Sequence, residues 1–508
     1  MKIPTSLSAV DQELFARFGQ GPARSLPFAL VHHAFEAHAR VRPWAVAIEH
    51  LGETITYGDL DRRASRLAGV LARHGVVPGD RVALFAQRSI SFVVGILGAL
   101  KAGAAYVPQH VGVAPETQLR HIVSAAGTRV ILTLSRFRDQ VPVPAGHTCI
   151  EIDRVDEPGE APAVSADPER GCFVLFTSGT TGMPNGVTIT HKNVCNILHT
   201  EPGDLGIRPG MRVSQILSIA FDMSAWEILG CLSAGGTLVI RGPSIEEAVR
   251  CSDVVIATPS ILGRLDPDRC RNVRVVALAG EPCPRPLADR WASFARFYNG
   301  CGPTEVTIVN TMQHYTRFAK RLTIGAPTPN NTVYILDDEL QPLPIGEIGE
   351  MWAGGDCVSA GYLGNDALGR ERYRPDPFLG AGRRMFRTRD LGRWTPDGEL
   401  EHLGRTDDQV KVRGFRVELD SVSRILESAP GCSSAVTLKL DDRDLVSFVC
   451  PAAVDTALAR QLVAARLPYY CVPALVIARD ALPMTERGKV DRRRLLDDLA
   501  PATAVGAR

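Results

Sequence analysis

The chain has 508 residues, of which 45% are hydrophobic and 22% charged, and its net charge is +1. This length exceeds a single hydrophobic core, so we expect several domains, and the near-neutral charge gives no indication of a nucleic-acid or membrane-surface partner. No apolar run approaches the ~20 residues of a membrane span, and the N-terminus lacks an apolar signal core, so we predict a cytoplasmic protein. The 12 cysteines are scattered without a CxxC pair, which indicates reduced core residues rather than disulfides or a zinc site.

Short apolar strands alternate with amphipathic helices in the first third of the chain. A capping-box-like start at Thr56 and Asp59 predicts one helix. Further helices are predicted over residues 91–102 and 115–126, and strands over residues 45–49, 81–86, 104–107 and 129–134. Such alternation is typical of parallel sheets covered by helices, in which phosphate loops lie at the carboxyl ends of strands.

A loop rich in glycine and hydroxyl side chains, FTSGTTGMPNGV, occupies residues 176–187 after a predicted strand over residues 172–176. Glycine tolerates the positive φ angles with which backbone N–H groups form an anion-binding nest. The Walker pattern GxxxxGK[ST] is absent. A phosphate grip and a plain surface loop therefore both fit this composition. The residues that would form the grip are Thr177, Ser178, Gly179, Thr180, Thr181 and Gly182.

Strands and helices continue to alternate after this loop. Helices are predicted over residues 190–199 and 225–232, and strands over residues 212–219, 237–240, 254–257, 273–279 and 296–298. From about residue 322 the strands become shorter and are separated by Gly and Pro turns, which predicts a β-rich subdomain over residues 322–403. The predicted fold class is α/β, with a large N-terminal domain over residues 1–403 and a small α+β domain over residues 404–508, joined through a short hinge.

Four charged residues in predicted turns are candidates for a site. Asp222 lies among apolar residues in the turn FDMSAWE, where a carboxylate is costly to bury unless a cation pairs with it; it either anchors a substrate ammonium or caps the following helix. Glu305, in the turn NGCGPTE, either holds Mg²⁺ against phosphate oxygens or is an exposed side chain. Asp390 either accepts ribose hydroxyls or caps a turn, and Lys489 either contacts a ligand or is solvated.

Five stretches, in this order and at these separations, resemble the adenylate-forming superfamily, and most closely the amino-acid adenylation domains of nonribosomal peptide synthetases. They are FTSGTTGMPNGV, FDMSAWE, GCGPTE, GRTDDQVKVRG and GKVDR, and the similarity covers nearly the whole chain. The resemblance implies that ATP and a carboxylic acid form an acyl-adenylate and pyrophosphate. The phosphopantetheine thiol of a carrier protein then takes the acyl group.

The same resemblance implies the nucleotide contacts. Lys489 would bridge the carboxylate and the ribose-phosphate oxygens, and Glu305 would hold Mg²⁺. Asp390 and Arg405 match the ribose contacts. The implied nucleotide site also includes the glycine-rich loop and Gly300, Cys301, Gly302 and Thr304.

The substrate pocket is implied in the same way. Asp222 matches the residue that holds the α-ammonium of amino-acid substrates. The matching wall positions are apolar or glycine: Met223, Trp226, Ile256, Ala277, Ala279, Gly300, Ile308 and Val309. An apolar wall leaves polar substrate groups unpaired, so we predict a medium or large hydrophobic amino acid, aromatic and non-proteinogenic ones included. Core packing would explain the same set of residues.

Several positions depart from the family pattern. Asn185 stands where the loop usually has lysine, and Cys301 where an aromatic residue usually stacks on adenine. Arg389 replaces the usual glycine before Asp390. The retained site residues favour an active enzyme over a pseudoenzyme. One hypothesis is that Arg389 partly restores the charge lost at Asn185.

The C-terminal part of the chain bears on the second half-reaction. Asp407 matches the hinge about which the mobile small domain rotates, and Gly414 lies in the loop that lines the thiol tunnel. The chain starts at Met1 and ends at Arg508 without a carrier segment. The resemblance therefore implies a free-standing ligase of natural-product biosynthesis that loads a separate carrier protein in trans. Some relatives also need a small activator protein.

Two other functions stay open. An aryl or acyl ligase that uses coenzyme A is disfavoured by Asp222, since a substrate without an amine would leave that carboxylate unpaired. A non-catalytic nucleotide-binding homologue is suggested by Asn185 and Cys301.

Overall fold

The computed structural model describes Lys2 and residues 6–177, 183–380, 382–484 and 490–499. Residue contacts group the chain into two compact units. The first contains the described residues of Met1–Val111, Ile122–Phe176 and Asn185–Thr406, and the second those of Gly112–His121, Thr177–Pro184 and Asp407–Arg508. None of the helices in the described ranges is long and apolar enough to cross a membrane.

Helices and strands alternate along the chain as far as Thr406. The helices of this part are α1 (Ala9–Phe18), α2 (Val31–Val41), α3 (Tyr57–Arg73), α4 (Ile90–Lys101), α5 (Glu116–Ala126), α6 (His191–Leu198), α7 (Asp222–Ser233), α8 (Ile245–Arg250), α9 (Pro259–Leu262), α10 (Arg285–Trp291) and α11 (Asp366–Arg372). The strands are β1 (Val46–His50), β2 (Glu53–Thr56), β3 (Arg81–Ala86), β4 (Ala105–His110), β5 (Val130–Thr133), β6 (Thr148–Glu151), β7 (Gly171–Thr177), β8 (Asn185–Thr190), β9 (Arg212–Gln215), β10 (Thr237–Ile240), β11 (Val254–Ala257), β12 (Val275–Leu278), β13 (Arg296–Cys301), β14 (Thr311–Tyr315), β15 (Ala326–Pro327), β16 (Asn331–Leu336), β17 (Gly349–Gly355), β18 (Gly361–Tyr362), β19 (Tyr373–Pro375), β20 (Arg384–Trp394) and β21 (Leu400–Arg405).

Two large sheets form the core of the first unit. Across the described residues, the larger sheet has the strand order β15-β14-β13-β12-β11-β9-β10-β1-β2, and the second has the order β18-β8-β7-β4-β3-β5-β6. In the larger sheet, the strands from β1 through β10, β9, β11 and β12 to β13 are parallel neighbours. Central strands such as β11, VVIA, and β12, VVAL, are buried along their whole length, as expected for parallel strands covered on both faces.

Two apolar helices fill the space beside these sheets. α4, with the sequence ISFVVGILGALK, contacts β3 and β4 of one sheet and β1 of the other. α7 contacts β9, β10 and β11, and all of its residues are buried. A helix that is apolar around its circumference has no face to present to water. The core therefore encloses α7, whose first residue is Asp222.

A smaller antiparallel sheet completes the first unit. In the described part of the chain its order is β16-β17-β20-β19, with β21 paired to β20. This sheet begins at Asn331 and ends at Arg405. β21 thus continues past the predicted boundary at residue 403, and the C-terminal segment of the second unit begins at Asp407.

The second unit is a small α+β body. Its further elements are β22 (Gln409–Val412), β23 (Phe415–Glu418), α12 (Leu419–Glu427), β24 (Ser434–Lys439), β25 (Leu445–Cys450), α13 (Thr456–Arg466), β26 (Leu475–Ala478) and α14 (Arg492–Asp497). β22 and β23 form a hairpin, and β25 lies between β24 and β26. α12 and α13 pack together through a buried cluster that includes Val422, Leu426 and Val463.

The predicted α/β fold class is confirmed by this architecture, and local signals were reliable where a cap defined an end. Thr56 caps α3 by accepting the N–H of Asp59 at 3.1 Å. The strand predicted over residues 212–219 is wrong beyond Gln215. The N–H groups of Ile216 and Leu217 bond to the carboxylate of Glu227 instead of a neighbouring strand. The helix predicted from residue 225 begins three residues earlier, at position 222.

Candidate active site

Asp222 is the first residue of α7, and its side chain is buried. Phe221 before it is extended and makes no side-chain cap. Asp222 Oδ1 accepts the N–H of Met223 at 2.8 Å, and the positive end of the helix dipole also favours a carboxylate here. The helix-cap alternative is therefore half correct: Phe221 occupies the N-cap position, but the Asp222 carboxylate does satisfy a first-turn N–H group.

A second carboxylate on α7, Glu227, holds the loop that precedes the helix. Its Oε1 accepts the N–H of Ile216 at 2.7 Å, and Gln215 Nε2 donates to its Oε2 at 3.1 Å. Burial raises the pKa of Glu227 to about 8, although these bonds and the charge of Arg88 act in the opposite direction. Arg88, which follows β3, donates to Leu217 O in the same loop at 2.6 Å. The loop is thus tied to both large sheets before it enters α7.

Four of the predicted wall residues share one face of the larger sheet. Ile256 in β11 lies directly beside Ala277 in β12, and Ala277 lies beside Tyr298 in β13. Ala279 and Gly300 each follow two residues later. Because side chains alternate along a strand, Ile256, Ala277, Ala279 and Gly300 belong to the same face. All four are buried.

The two wall residues predicted on α7 differ in their surroundings. Met223 reaches the end of β12, because a side chain at Gly280 would begin 3.8 Å from Met223 Sδ. Trp226 is fully buried, and its indole N–H donates to Gly203 O at 2.7 Å. The structure therefore brings Met223 to the wall and anchors Trp226 to the loop after α6, where its role in the wall stays a prediction.

The end of β13 and the turn after it are packed so closely that glycine is required there. A Cβ at Gly302 would lie 2.7 Å from Val309 Cα, and one at Gly300 would lie 3.0 Å from Val309 Cγ1. The N–H of Asn310 donates to Cys301 O at 3.0 Å and closes the turn. Val309, a predicted wall residue, is therefore in direct contact with glycines predicted to approach the nucleotide.

Backbone strain is concentrated in the same turn. Thr307 has a φ of 60° and Ile308 a φ of 70°, left-handed conformations that β-branched residues rarely adopt. Thr307 Oγ1 donates to Cys357 O at 2.8 Å, which helps to hold this geometry. Strain of this kind costs roughly 1–3 kcal/mol per residue and clusters at functional sites. This left-handed turn carries Ile308 and Val309 between β13 and β14, and both side chains are buried.

Glu305 is almost completely buried in the single turn Thr304–Val306. The Tyr362 hydroxyl donates to Glu305 Oε1 at 2.7 Å. Tyr362 in turn pairs with Val187 in β8, the strand that follows the glycine-rich loop. The alternative of an exposed glutamate is therefore wrong, because the fold holds this carboxylate beside β8.

Asp390 and Arg405 face each other across β20 and β21. Arg405 Nη1 donates to Asp390 Oδ1 at 2.6 Å, and His402 Nε2 lies 3.3 Å from the same oxygen. Burial raises the pKa of Asp390, but the hydrogen bond from His402 and the charge of Arg405 outweigh it, so the pKa lies below its ordinary value. The predicted ribose contacts are thus an ionised carboxylate and a guanidinium already paired with it.

Three of the departures from the family pattern have defined surroundings. Cys301 packs against the buried cluster that contains Ile324. Asn185 Oδ1 accepts Asn365 Nδ2 at 3.0 Å, so this amide links β8 to the start of α11. Arg389 has a φ of 63° and forms an ion pair with Glu371. This contact directs the Arg389 charge to a carboxylate and does not support its replacing a cation at Asn185.

Six predicted site residues lie outside the described residues: Ser178, Gly179, Thr180, Thr181, Gly182 and Lys489. Their roles stay predictions. Thr177 is the last residue of β7, and Thr304 accepts the N–H of Thr307 in the turn that carries Glu305. On the two sides of Lys489, Met484 pairs with Val490.

The two predicted residues of the second half-reaction lie in or beside the hairpin of the second unit. Asp407 Oδ1 accepts the N–H of Gln409 at 3.4 Å. Gly414 and Arg413 form the two-residue turn between β22 and β23, with φ values of 84° and 54°. Two positive φ values in succession match the right-handed twist of a tight hairpin. The hinge role of Asp407 and the tunnel role of Gly414 stay predictions.

Three residues that support the site are not identified by local sequence patterns: Glu227, Tyr362 and His402. Glu227 was part of the quoted FDMSAWE motif, but nothing local showed that it bonds backward to the preceding loop. Tyr362 is 57 residues from Glu305 in sequence, so no spacing rule connects them. Regular alternation would place His402 and Arg405 on opposite faces of a strand. Their common contact with Asp390 could therefore not be predicted from their spacing.

The family model described as AMP-binding enzyme matches residues 35–363 of this chain. Adenylate-forming reductase 03009 of Coprinopsis cinerea is 44% identical over 501 residues, which cover 96% of this chain and 48% of that protein. The chain thus spans about half the length of this relative. The nonribosomal peptide synthetase sirP of Leptosphaeria maculans is 35% identical over 473 residues, which cover 91% of this chain and 21% of that protein.

A solved structure shares the fold over nearly the whole chain. It is holo-PA1221, described as a nonribosomal peptide synthetase protein containing adenylation and PCP domains bound to a vinylsulfonamide inhibitor. The TM-score is 0.83 at 25% identity, over 96% of this chain and 85% of that chain.

Proposed function

This chain belongs to the family of AMP-binding enzymes, within the adenylate-forming superfamily that its motifs resemble, and from this premise we propose that it activates a hydrophobic amino acid as an aminoacyl-AMP. A carboxylate oxygen of the amino acid attacks the α-phosphorus of ATP, and the bond from that phosphorus to the pyrophosphate oxygen breaks. The observation that carries the proposal is the position of Asp222, a buried carboxylate at the first turn of α7.

Asp222 supports an amino acid as the substrate. Burial of a carboxylate is costly, and an ammonium group offsets that cost by a charge-assisted hydrogen bond. The bond from Met223 N–H orients the carboxylate at Oδ1. An ammonium bound at this point would lie at the end of α7 that is nearest Gly280 and the wall face. An acid without an amine would lose this interaction.

The wall supports a hydrophobic side chain. Ile256, Ala277 and Ala279 present only aliphatic groups on one face of the sheet. Polar groups of a bound substrate would have no hydrogen-bond partner among these three side chains, and an unpaired buried polar group costs about 1–3 kcal/mol. The two alanines leave more room than larger aliphatic residues would.

The second pair of carboxylates supports nucleotide binding. Asp390 is ionised and held by Arg405, which suits acceptance of ribose hydroxyls. Glu305 supplies buried carboxylate oxygens, one of which accepts the Tyr362 hydroxyl, and Mg²⁺ prefers oxygen ligands with one or two carboxylates and substrate phosphates. Glu305 would therefore hold Mg²⁺, which when bound neutralises charge on phosphate oxygens. Lys489 would contribute a further cation to the reacting oxygens.

We further propose that the aminoacyl group passes to the phosphopantetheine thiol of a separate carrier protein in the cytoplasm. The solved structure of an adenylation protein with a PCP domain supports such a partner. In this step the thiolate attacks the acyl carbonyl, and AMP leaves as the thioester forms. Gly414 and the hinge at Asp407 belong to this step.

Pyrophosphate exchange into ATP tests the proposal directly. The chain would be assayed with the proteinogenic amino acids, hydrophobic non-proteinogenic ones, and aryl and fatty acids without an amine. We expect exchange with one or a few hydrophobic amino acids. Exchange only with acids that lack an amine would assign the enzyme to the aryl or acyl ligases. ATP binding without exchange for any acid would indicate a non-catalytic nucleotide-binding homologue.

The variant Lys489→Ala separates catalysis from binding in this assay. We expect it to lose nearly all exchange while its thermal unfolding midpoint stays close to that of the wild type. Wild-type exchange by this variant would show that Lys489 does not bridge the reacting groups.

The relatives with 44% identity support a second candidate function, because they are named adenylate-forming reductases. In that case this chain would activate an acid whose acyl group is then reduced. The exchange panel identifies the acid for both candidates. Formation of an aminoacyl thioester on a carrier protein, detected by mass spectrometry, would support the transfer step of the first candidate.

A further inference from the structure

β21 carries an irregularity at the point where it faces Asp390. Asp390 is paired with Arg405 and Gly392 with His402, so a step of two residues along β20 is matched by a step of three along β21. An extra residue in one strand is a β-bulge, which redirects side chains and is common beside active sites. In a regular strand His402 and Arg405 would point to opposite faces. The bulge lets both side chains reach Asp390.

The hydrogen bonds define how His402 acts. The N–H of Gly404 donates to His402 Nδ1 at 3.3 Å. A neutral imidazole that accepts at Nδ1 carries its proton on Nε2. Nε2 lies 3.3 Å from Asp390 Oδ1, so the ring donates to the carboxylate. Gly404, which has a φ of 106°, thus sets the tautomer of a residue two positions earlier.

Two donors on one oxygen restrict the carboxylate more than one donor would. The χ2 torsion of an aspartate has a broad distribution of angles. With Arg405 as the only donor, the carboxylate plane of Asp390 would therefore rotate over a wider range. His402 reaches Oδ1 from a different position on β21. Both bonds end on Oδ1, and the orientation of Oδ2 is thereby defined.

We infer that His402 is a positioning residue for the nucleotide: its Nε2–H holds Asp390 Oδ1 so that Oδ2 is aimed at the ribose hydroxyls. This inference rests on the proposed function, in which Asp390 contacts the ribose. Preorganised groups of this kind lower the cost of ordering the site when ligand binds. His402 acts through Asp390 and touches no reacting atom.

The inference is tested with His402→Leu, which removes the donor, and His402→Gln, which retains an N–H. The matched control is Leu403→Gln, because Leu403 is the exposed neighbour in β21. Each protein is titrated with ATP and with 2′,3′-dideoxy-ATP by equilibrium binding and by pyrophosphate exchange. Thermal unfolding checks that each variant is folded.

We expect His402→Leu to weaken ATP binding and to raise KM for ATP about tenfold, the effect of one charge-assisted hydrogen bond, with a smaller change in kcat. Binding of 2′,3′-dideoxy-ATP should change less than about twofold, since the hydroxyls that Asp390 would accept are missing. His402→Gln should recover most of the ATP affinity, and Leu403→Gln should resemble the wild type.

Equal losses of affinity for ATP and 2′,3′-dideoxy-ATP in His402→Leu would overturn the inference, because His402 would then act on another part of the ligand or on the fold. Unchanged ATP affinity in His402→Leu would also overturn it. Failure of the proposed function gives a different result: the wild type would show no exchange with any acid, while the binding ratios of the two nucleotides would still decide the role of His402. A wild-type chain that does not bind ATP would overturn both.

Discussion

The amino-acid side of the candidate site contains Asp222 and the nucleotide side contains Asp390, and the fold orients these two carboxylates in different ways. Asp222 begins a helix and is oriented by the N–H of the next residue, whereas Asp390 is oriented by Arg405 and His402 from a neighbouring strand. A backbone dipole stabilises an anion without adding a formal charge, whereas a guanidinium adds one. The ligands proposed for these two carboxylates are an ammonium at Asp222 and neutral hydroxyls at Asp390.

The two carboxylates also differ in the structural elements that position them. Asp222 is positioned by α7, which is buried on all sides, and by the loop that Glu227 holds. Asp390 is positioned by the register of two antiparallel strands and a bulge in one of them. Changes to the amino-acid side should therefore leave nucleotide binding intact, and the reverse should also be true. The following predictions test that independence.

The largest effect is expected for Asp222→Asn. The variant keeps the shape of the side chain but removes the charge that would pair with the substrate ammonium. Loss of one partner of a buried charge pair costs several kcal/mol, so kcat/KM for the amino acid should fall at least about 100-fold. KM for ATP should change less than about threefold in the pyrophosphate exchange assay.

Asp390→Asn is the reciprocal control for this variant. It should raise KM for ATP and leave the KM for the amino acid close to the wild-type value. If either variant raised KM for ATP and KM for the amino acid to a similar extent, the two sides of the site would be energetically coupled.

Gly302→Ala should affect both sides at once, because this glycine joins Cys301 to the turn that contains Val309. The added Cβ would lie 2.7 Å from Val309 Cα, and overpacking of this kind costs about 1–3 kcal/mol. We expect a lower urea midpoint and higher KM values for both substrates. Gly369→Ala is the control, since a Cβ at Gly369 in α11 would meet no atom within 4 Å. Equal behaviour of the two variants would show that the close approach at Gly302 does not matter.

Glu227→Gln should change how stability depends on pH. The pKa of Glu227 is raised by burial to about 8, above the ~4.3 of an unperturbed glutamate. The folded protein therefore retains a proton that the unfolded chain releases, so this contribution to stability is full below about pH 4 and is lost as pH rises through about 8. The glutamine variant should lose less free energy of unfolding than the wild type between about pH 5 and pH 9.

Glu347→Gln provides the matched control for that prediction, because Glu347 is exposed. Its urea unfolding curves should follow those of the wild type at each pH. If Glu227→Gln also followed them, Glu227 would be ionised in the folded protein at neutral pH.

The smallest effect is expected for Arg389→Gly. Glycine relieves the left-handed backbone at this position, where φ is 63°, and the variant loses an ion pair with the half-exposed Glu371. These opposing contributions are each about 1 kcal/mol or less, so the urea midpoint should change little. KM for ATP should also be unchanged. A severalfold rise in KM for ATP would instead support the hypothesis that Arg389 replaces a cation lost at Asn185.

Local patterns predicted much of the fold because their physical causes are local. The cap at Thr56, the apolar runs in β11 and β12, and the turn residues before β22 all act within a few residues. Such signals also identified Asp222, Glu305 and Asp390 as unusual residues. They did not identify which side chains would meet them, because the partners come from other elements of the chain.

The sequence by itself determined the α/β class, the order of elements and the motifs that carry the chemistry, since hydrophobic periodicity and turn chemistry are properties of short segments. Only the tertiary structure decided that Glu305 is buried against Tyr362, and that Glu227 ends β9 early by taking its backbone donors. It also decided that His402 and Arg405 share one oxygen of Asp390. Burial and strand register depend on contacts between distant segments, and a single extra residue in β21 reverses the face to which a side chain points.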